Sequence, residues 1–235
     1  MNQRSTARHL AMAGLLGLGA SGCATGLFQT AKTLPPGGVQ VGLGVSHLLT
    51  DQQAAASEGA SSSLEGFTMP EAGLRVGVGH QTDVGLGSYL GLGLRADAKH
   101  NLVSATKPYA LAPRVGLGAS GSRDDWLWTW LVGLIASYDL HRVISVYTGA
   151  SLVTHYIHRK YLPEPPPGER LVGRTPWGDG LLQASVGVEY RVASWMALQA
   201  EAGHWFTLQN DPGDGYRFVP AHVLGARLVV GSQAP

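Results

Sequence analysis

The sequence predicts an all-β fold, an antiparallel up-and-down transmembrane β-barrel of ten strands, with eight as the alternative count. Three observations carry that prediction. Apolar residues recur at every second position through successive segments, which is the period of a strand and not of a helix. The intervening positions pair glycine with charge, in a chain of 235 residues that has 33 glycines and only 14% charged residues. Long and short connections alternate, with aromatic residues gathered near the strand ends, as a membrane barrel requires.

The strands follow in order from Val39. Val39, Val41, Leu43 and Val45 share one face of the first, and Gln40, Gly42, Gly44 and Ser46 the other. Thr50 to Thr68 is rich in Ala, Ser and Gly and has no period, so it reads as an exposed loop. In the second strand Ala72, Leu74, Val76 and Val78 alternate with Glu71, Gly73, Arg75, Gly77 and Gly79, and Gln81-Thr82-Asp83 forms a tight turn. The stretch from Val84 to Val103 is about twice a strand length. It therefore breaks near Tyr89 to Gly91, and Arg95, Asp97 and Lys99 fall on alternate positions of a fourth strand.

Tyr109 to Ser120 is the fifth strand, with Leu111, Val115 and Leu117 set against Ala112, Arg114, Gly116 and Gly118. After a polar loop from Gly121 to Asp125, the sixth strand runs from Trp126 to Tyr138. The turn Asp139 to Arg142 leads into the seventh, Ile144 to Arg159. Lys160 to Gly180 is a proline-rich loop, and the eighth strand, Leu181 to Arg191, turns at Val192 to Trp195 into the ninth, Met196 to Phe206. A loop from Gln209 to Pro220 precedes the tenth, Ala221 to Gly231. No helix is expected in this region.

Glycine weakens a solvent-facing strand, because it costs backbone entropy and packs nothing. Beside Arg and Glu in a narrow lumen it makes sense, since a long side chain must fold against something small. The charged face is therefore assigned to the inside, with Arg75, Arg95, Asp97, Lys99, Arg114, Glu189, Arg191, Glu201 and Arg227 as lumen charges. Asp97 is expected to face Arg114, and Glu201 to face Arg227, as paired and largely structural charges. Trp128, Trp130, Tyr156 and Phe206 at one end, and Tyr138 and Tyr190 at the other, read as two aromatic girdles. Ten residues separate Trp128 from Tyr138 at the same parity, a rise of about 23 Å on a strand tilted by about 45°. That matches the apolar band of a membrane barrel.

Ahead of the strands, Arg4, Arg8 and His9 open the chain without acidic residues, Leu10 to Ala20 is apolar, and Ala20-Ser21-Gly22 precedes Cys23, the only cysteine. This pattern is a secretion signal, too short for a membrane helix. It resembles the bacterial lipoprotein signal, with Ala20 where leucine is more usual. The resemblance implies that residues 1–22 are removed, that Cys23 is lipidated, and that the absence of aspartate after it directs the protein to the outer membrane. Residues 23–38 then form the anchor and tether, ending in Pro35-Pro36-Gly37-Gly38, residues 39–231 the barrel, and 232–235 a tail. Over most of Val39 to Gly231 the glycine-rich strands resemble bacterial outer-membrane barrel proteins. Those resemblances imply the outer membrane of a Gram-negative-type bacterium, with the lipid on the periplasmic side and outer-membrane lipid as the surrounding partner.

Function is less legible. A formal charge of +1 argues against nucleic acid, and a single cysteine cannot form an internal disulfide. His155 and His158 are three apart on a strand, so they point to opposite faces and cannot share a metal. His204 shares the parity of Leu198 and Ala200, which makes it outward and interfacial. With Asp211, these residues offer no readable pairing of base and nucleophile. No catalytic residue, metal or cofactor is assigned, and the chain is read as a structural or surface-interaction barrel rather than an enzyme. The loop of residues 160–180 is the candidate contact for an extracellular partner. The alternatives are a narrow passive pore, a lipid-anchored soluble periplasmic β-protein and, more remotely, an outer-membrane hydrolase.

Overall fold

In a computed structural model, the described residues are 28–51, 64–89, 93–121, 125–159, 180–208 and 221–232. They form ten strands: β1 (Val39–Asp51), β2 (Leu64–Gly79), β3 (Thr82–Tyr89), β4 (Gly93–His100), β5 (Tyr109–Gly121), β6 (Asp125–His141), β7 (Ile144–Arg159), β8 (Leu181–Ala193), β9 (Met196–Thr207) and β10 (Ala221–Gly231). Each strand pairs antiparallel with its sequence neighbours, and β1 pairs with β10 to close the barrel. Closure leaves no edge strand, because every strand has a paired neighbour on each side.

Parity decides which face is inside. Val41, Leu43, Leu86, Leu94, Val115, Leu117, Val132 and Val186 are exposed on the outer surface. Glu71, Arg75, Asp97, Lys99, Arg114, Glu189 and Glu201, from the alternate positions, are buried. A closed barrel with an apolar exterior and a charged interior is inverted relative to a soluble one, and it is built to span a membrane.

Three segments depart from the sequence reading. The loop expected from Thr50 to Thr68 is shorter, because β1 and β2 stay paired as far as Asp51 and Leu64. Pro70, which has no N–H to give the ladder, stands inside β2 opposite Val45. Asp83 and Asp139, read as turn residues, belong to β3 and β6. Their turns shrink to His80–Gln81 and Arg142–Val143. The break expected near Tyr89 to Gly91 falls where β3 ends at Tyr89, and residues 90–92 lie outside the described ones.

The largest departure is the tether. Residues 28–34 do not hang free of the barrel: all seven are buried. Pro35-Pro36-Gly37-Gly38 forms a turn in which the Gly38 N–H donates to the Pro35 carbonyl at 2.8 Å. Gly37 has φ +74, the left-handed value that a type II turn needs after proline. This turn sits at the short-turn mouth, where the Gly37 N–H bonds to the Gly77 carbonyl at 2.9 Å. It sends the preceding residues back up the lumen.

Candidate functional site

The site is the lumen together with the segment that fills it. Residues 28–34 run from Leu34, near the short-turn mouth, to Phe28, about halfway up the wall. The wall holds their backbone: the Leu34 N–H donates to Asp83 at 3.1 Å, Ala31 N–H to Ser137 Oγ at 3.2 Å and Phe28 N–H to Glu201 at 2.6 Å. Lys99 Nζ donates to the carbonyls of Thr30 and Lys32, both at 2.6 Å. Side chains are held too. Lys32 Nζ meets Asp139 at 2.6 Å, and Ala31 packs on Ala110, Ala112, Ile135 and Tyr147.

Glycines of the wall make the room. A Cβ on Gly225 would overlap the Phe28 ring, one on Gly77 the Pro35 carbonyl, and one on Gly187 the Tyr147 ring. Gly42 and Gly73 accommodate the Arg227 guanidinium, and Gly85 that of Arg75. Small residues facing long ones are what a barrel of this size needs to fill its centre.

Charges form a network beside the segment. Asp97 is its hub, contacting Arg75, Arg114 at 3.3 Å and Arg95 at 3.8 Å. Arg75 also pairs with Asp83, which Lys99 approaches at 3.7 Å. Near the mouth, Arg191 contacts Glu189 at 3.2 Å and Asp139 at 3.7 Å. Gln199 donates to Glu189 at 2.7 Å. Buried charges are tolerated when each has a partner, and here the partners come from the wall and from Lys32.

Two expected pairings shift. Asp97 lies opposite Gly116, while Arg114 lies opposite Lys99, so Asp97 and Arg114 meet on a diagonal. Glu201 lies opposite Gly225, and Arg227 opposite Gln199. Sequence reading also missed Asp83, Asp139 and Lys32, which it assigned to turns and tether. The first two carried a signal: where a hairpin turn has only two residues, the residues two or three positions away from it already belong to a strand.

Above the charges the lumen changes character. Leu48, Trp205, Ala221 and Val223 pack together inside the long-loop half, and Leu131, Val153 and Leu181 form a second inward cluster. Trp205 is thus a lumen residue and does not belong with the aromatic residues at the surface. A cavity of about 40 Å³ remains beside the segment, lined by Gln29, Arg75, Asp97 and Arg227 among others. It has room for only a few waters.

On the outer surface Trp128, Trp130, Tyr138, Tyr190 and Phe206 are exposed and Tyr156 is half-buried. Trp128 stands opposite Tyr156 toward the long-loop end, and Tyr109 opposite Tyr138 toward the other. His204 faces outward against Phe206, and its Nδ1 lies 3.2 Å from that of His222. Cys23, Asp211, the side chains of His155 and His158, and the loop of residues 160–179 lie outside the described residues. Among the described residues, no group of three His, Cys, Asp or Glu is placed to hold a metal ion.

No protein-family model matches the chain, and no curated protein matches it. Solved structures of similar shape include Neisserial surface protein A, at 16% identity over 82% of this chain and 96% of that one, with a TM-score of 0.39. An outer membrane channel from Pseudomonas putida F1 is 12% identical over 86% of this chain and 97% of its own, with a TM-score of 0.46. The outer membrane protease OmpT from Escherichia coli is 9% identical over 85% and 96%, with a TM-score of 0.44. The fold assignment rests on this chain's own strand pairing.

Proposed function

We propose that the chain is a lipidated outer-membrane barrel with a structural or surface-interaction role, closed to passage by its own residues 28–34. The observation that carries this reading is the burial of seven consecutive residues in the lumen, beside a network of charges paired around Asp97. An apolar exterior between two sets of aromatic residues supports the membrane. A closed antiparallel barrel is one of the two structures that can span it, and the kind found in outer membranes. The reading is non-enzymatic and needs no cofactor. The surface partner is assigned to the loop of residues 160–180, on the long-loop side.

The first test is gel mobility of the membrane-extracted protein in SDS, unboiled against boiled, paired with planar-bilayer recording. The expected result is a compact unboiled band that slows on boiling, and no steady conductance. Metabolic labelling with palmitate should mark the protein and be lost in Cys23→Ala. A single unshifted band, or steady conductance from the full chain, overturns the reading.

A further inference from the structure

We propose that the lumen is a binding site for extended peptides, occupied in cis by residues 28–34 and able to take an equivalent peptide in trans. The inference rests on the filled-lumen reading and deepens it by naming a ligand class. Main-chain recognition is its basis. Asp83, Ser137 and Glu201 accept three backbone N–H groups of the segment, and Lys99 donates to two of its carbonyls. A wall packed only for volume would not need five side-chain-to-backbone contacts along seven residues, because apolar contact alone fills space. Such contacts recognise an extended chain, much as a sheet edge does in strand addition, with pockets for individual side chains providing selectivity.

Three pockets define that selectivity. The ring of Phe28 lies over Gly225, where any Cβ would collide with it. Ala31 is fully buried against Ala110, Ala112, Ile135 and Tyr147, so only a small side chain fits. Lys32 meets Asp139, which selects a basic residue. The ligand class is therefore an extended peptide with an aromatic residue, a small residue three positions later and a lysine next to it. Its N-terminal end points toward the long-loop side.

The test keeps folding with the segment in place. A site-specific protease site is inserted between Gly37 and Gly38, at the exposed turn, and the full chain is folded, checked by gel shift and then cut. Cutting turns the segment into a separate ligand. After the lipidated fragment is separated from the barrel in detergent, the lumen should conduct in planar bilayers, and a fluorescent synthetic peptide of residues 26–36 should bind saturably and silence it. The same peptide carrying Ala31→Trp or Lys32→Glu should bind at least ten-fold more weakly. Cleaved barrels that keep the gel shift yet neither open nor take up peptide overturn the proposal and leave the filled lumen standing, provided that Lys32→Ala in the cut chain, which loosens the segment, behaves the same way. Equal binding of the substituted peptides also overturns it. A wild-type chain without a gel shift removes both readings.

Discussion

The two halves of the lumen are built on one wall with one parity, yet they are held together differently. In the short-turn half, inward positions carry Arg75, Asp83, Asp97, Lys99, Arg114 and Glu189, and charge is matched against charge or against the backbone of residues 28–34. In the long-loop half the same parity carries Leu48, Leu131, Val153, Leu181, Trp205 and Val223, which cluster as a soluble core would. Apart from the apolar patch of Ala110, Ala112, Ile135 and Tyr147 under Ala31, the first half depends on stoichiometry: remove one partner and another is stranded. The second depends on volume, and losses there stay local. The difference teaches that the periodic signal of a barrel fixes where side chains point but leaves open which force holds the interior.

The comparison breaks most sharply at Asp97. Its replacement by alanine leaves Arg75, Arg95 and Arg114 around an empty position, and unpairing a buried charge costs about 3–5 kcal/mol. The expected outcome is a large drop in the urea midpoint of the detergent-solubilised barrel, read from the heat-sensitive gel band. Trp205→Ala tests the other half. It removes a large apolar side chain from contact with Leu48, Ala221 and Val223, with a cost of about 3 kcal/mol. No charge is stranded, so this variant should keep residues 28–34 in place and remain silent in a planar bilayer. If it conducts, the two halves are coupled and the comparison fails.

How much of this was legible follows the same division. The strands Ile144–Arg159 and Ala221–Gly231 coincide with their predicted limits, and all ten strands were visible, because alternation survives in a single sequence. Heights were not. Asp97 and Arg114, like Glu201 and Arg227, sit on strands whose inward parity was plain, but each pair is displaced by two residues from the expected register. A shift of two keeps every side chain on its own face, so the hydrophobic pattern could not detect it. The segment of residues 28–34 was invisible for another reason. A short extended stretch without period has no signal for what surrounds it, and its recognition comes through backbone groups that every sequence possesses. Its turn, in contrast, was readable in Pro35-Pro36-Gly37-Gly38.

That turn supplies the smallest and cleanest perturbation. Gly37 is in the left-handed region at φ +74, and a Cβ there would meet no atom within 4 Å. Gly37→Ala therefore changes backbone preference alone, unlike Gly225 or Gly187, where the obstacle is a ring. An L-residue in the left-handed region costs about 1 kcal/mol or slightly more. The strands need not share that cost, because the turn precedes Val39. It should fall on the segment, raising the rate at which residues 28–34 leave the lumen while the urea midpoint moves little. Transient openings in planar bilayers, absent from the wild type, are the expected record. If the midpoint falls instead and no openings appear, the turn supports the barrel itself, and the short-turn half is not separable into wall and filling.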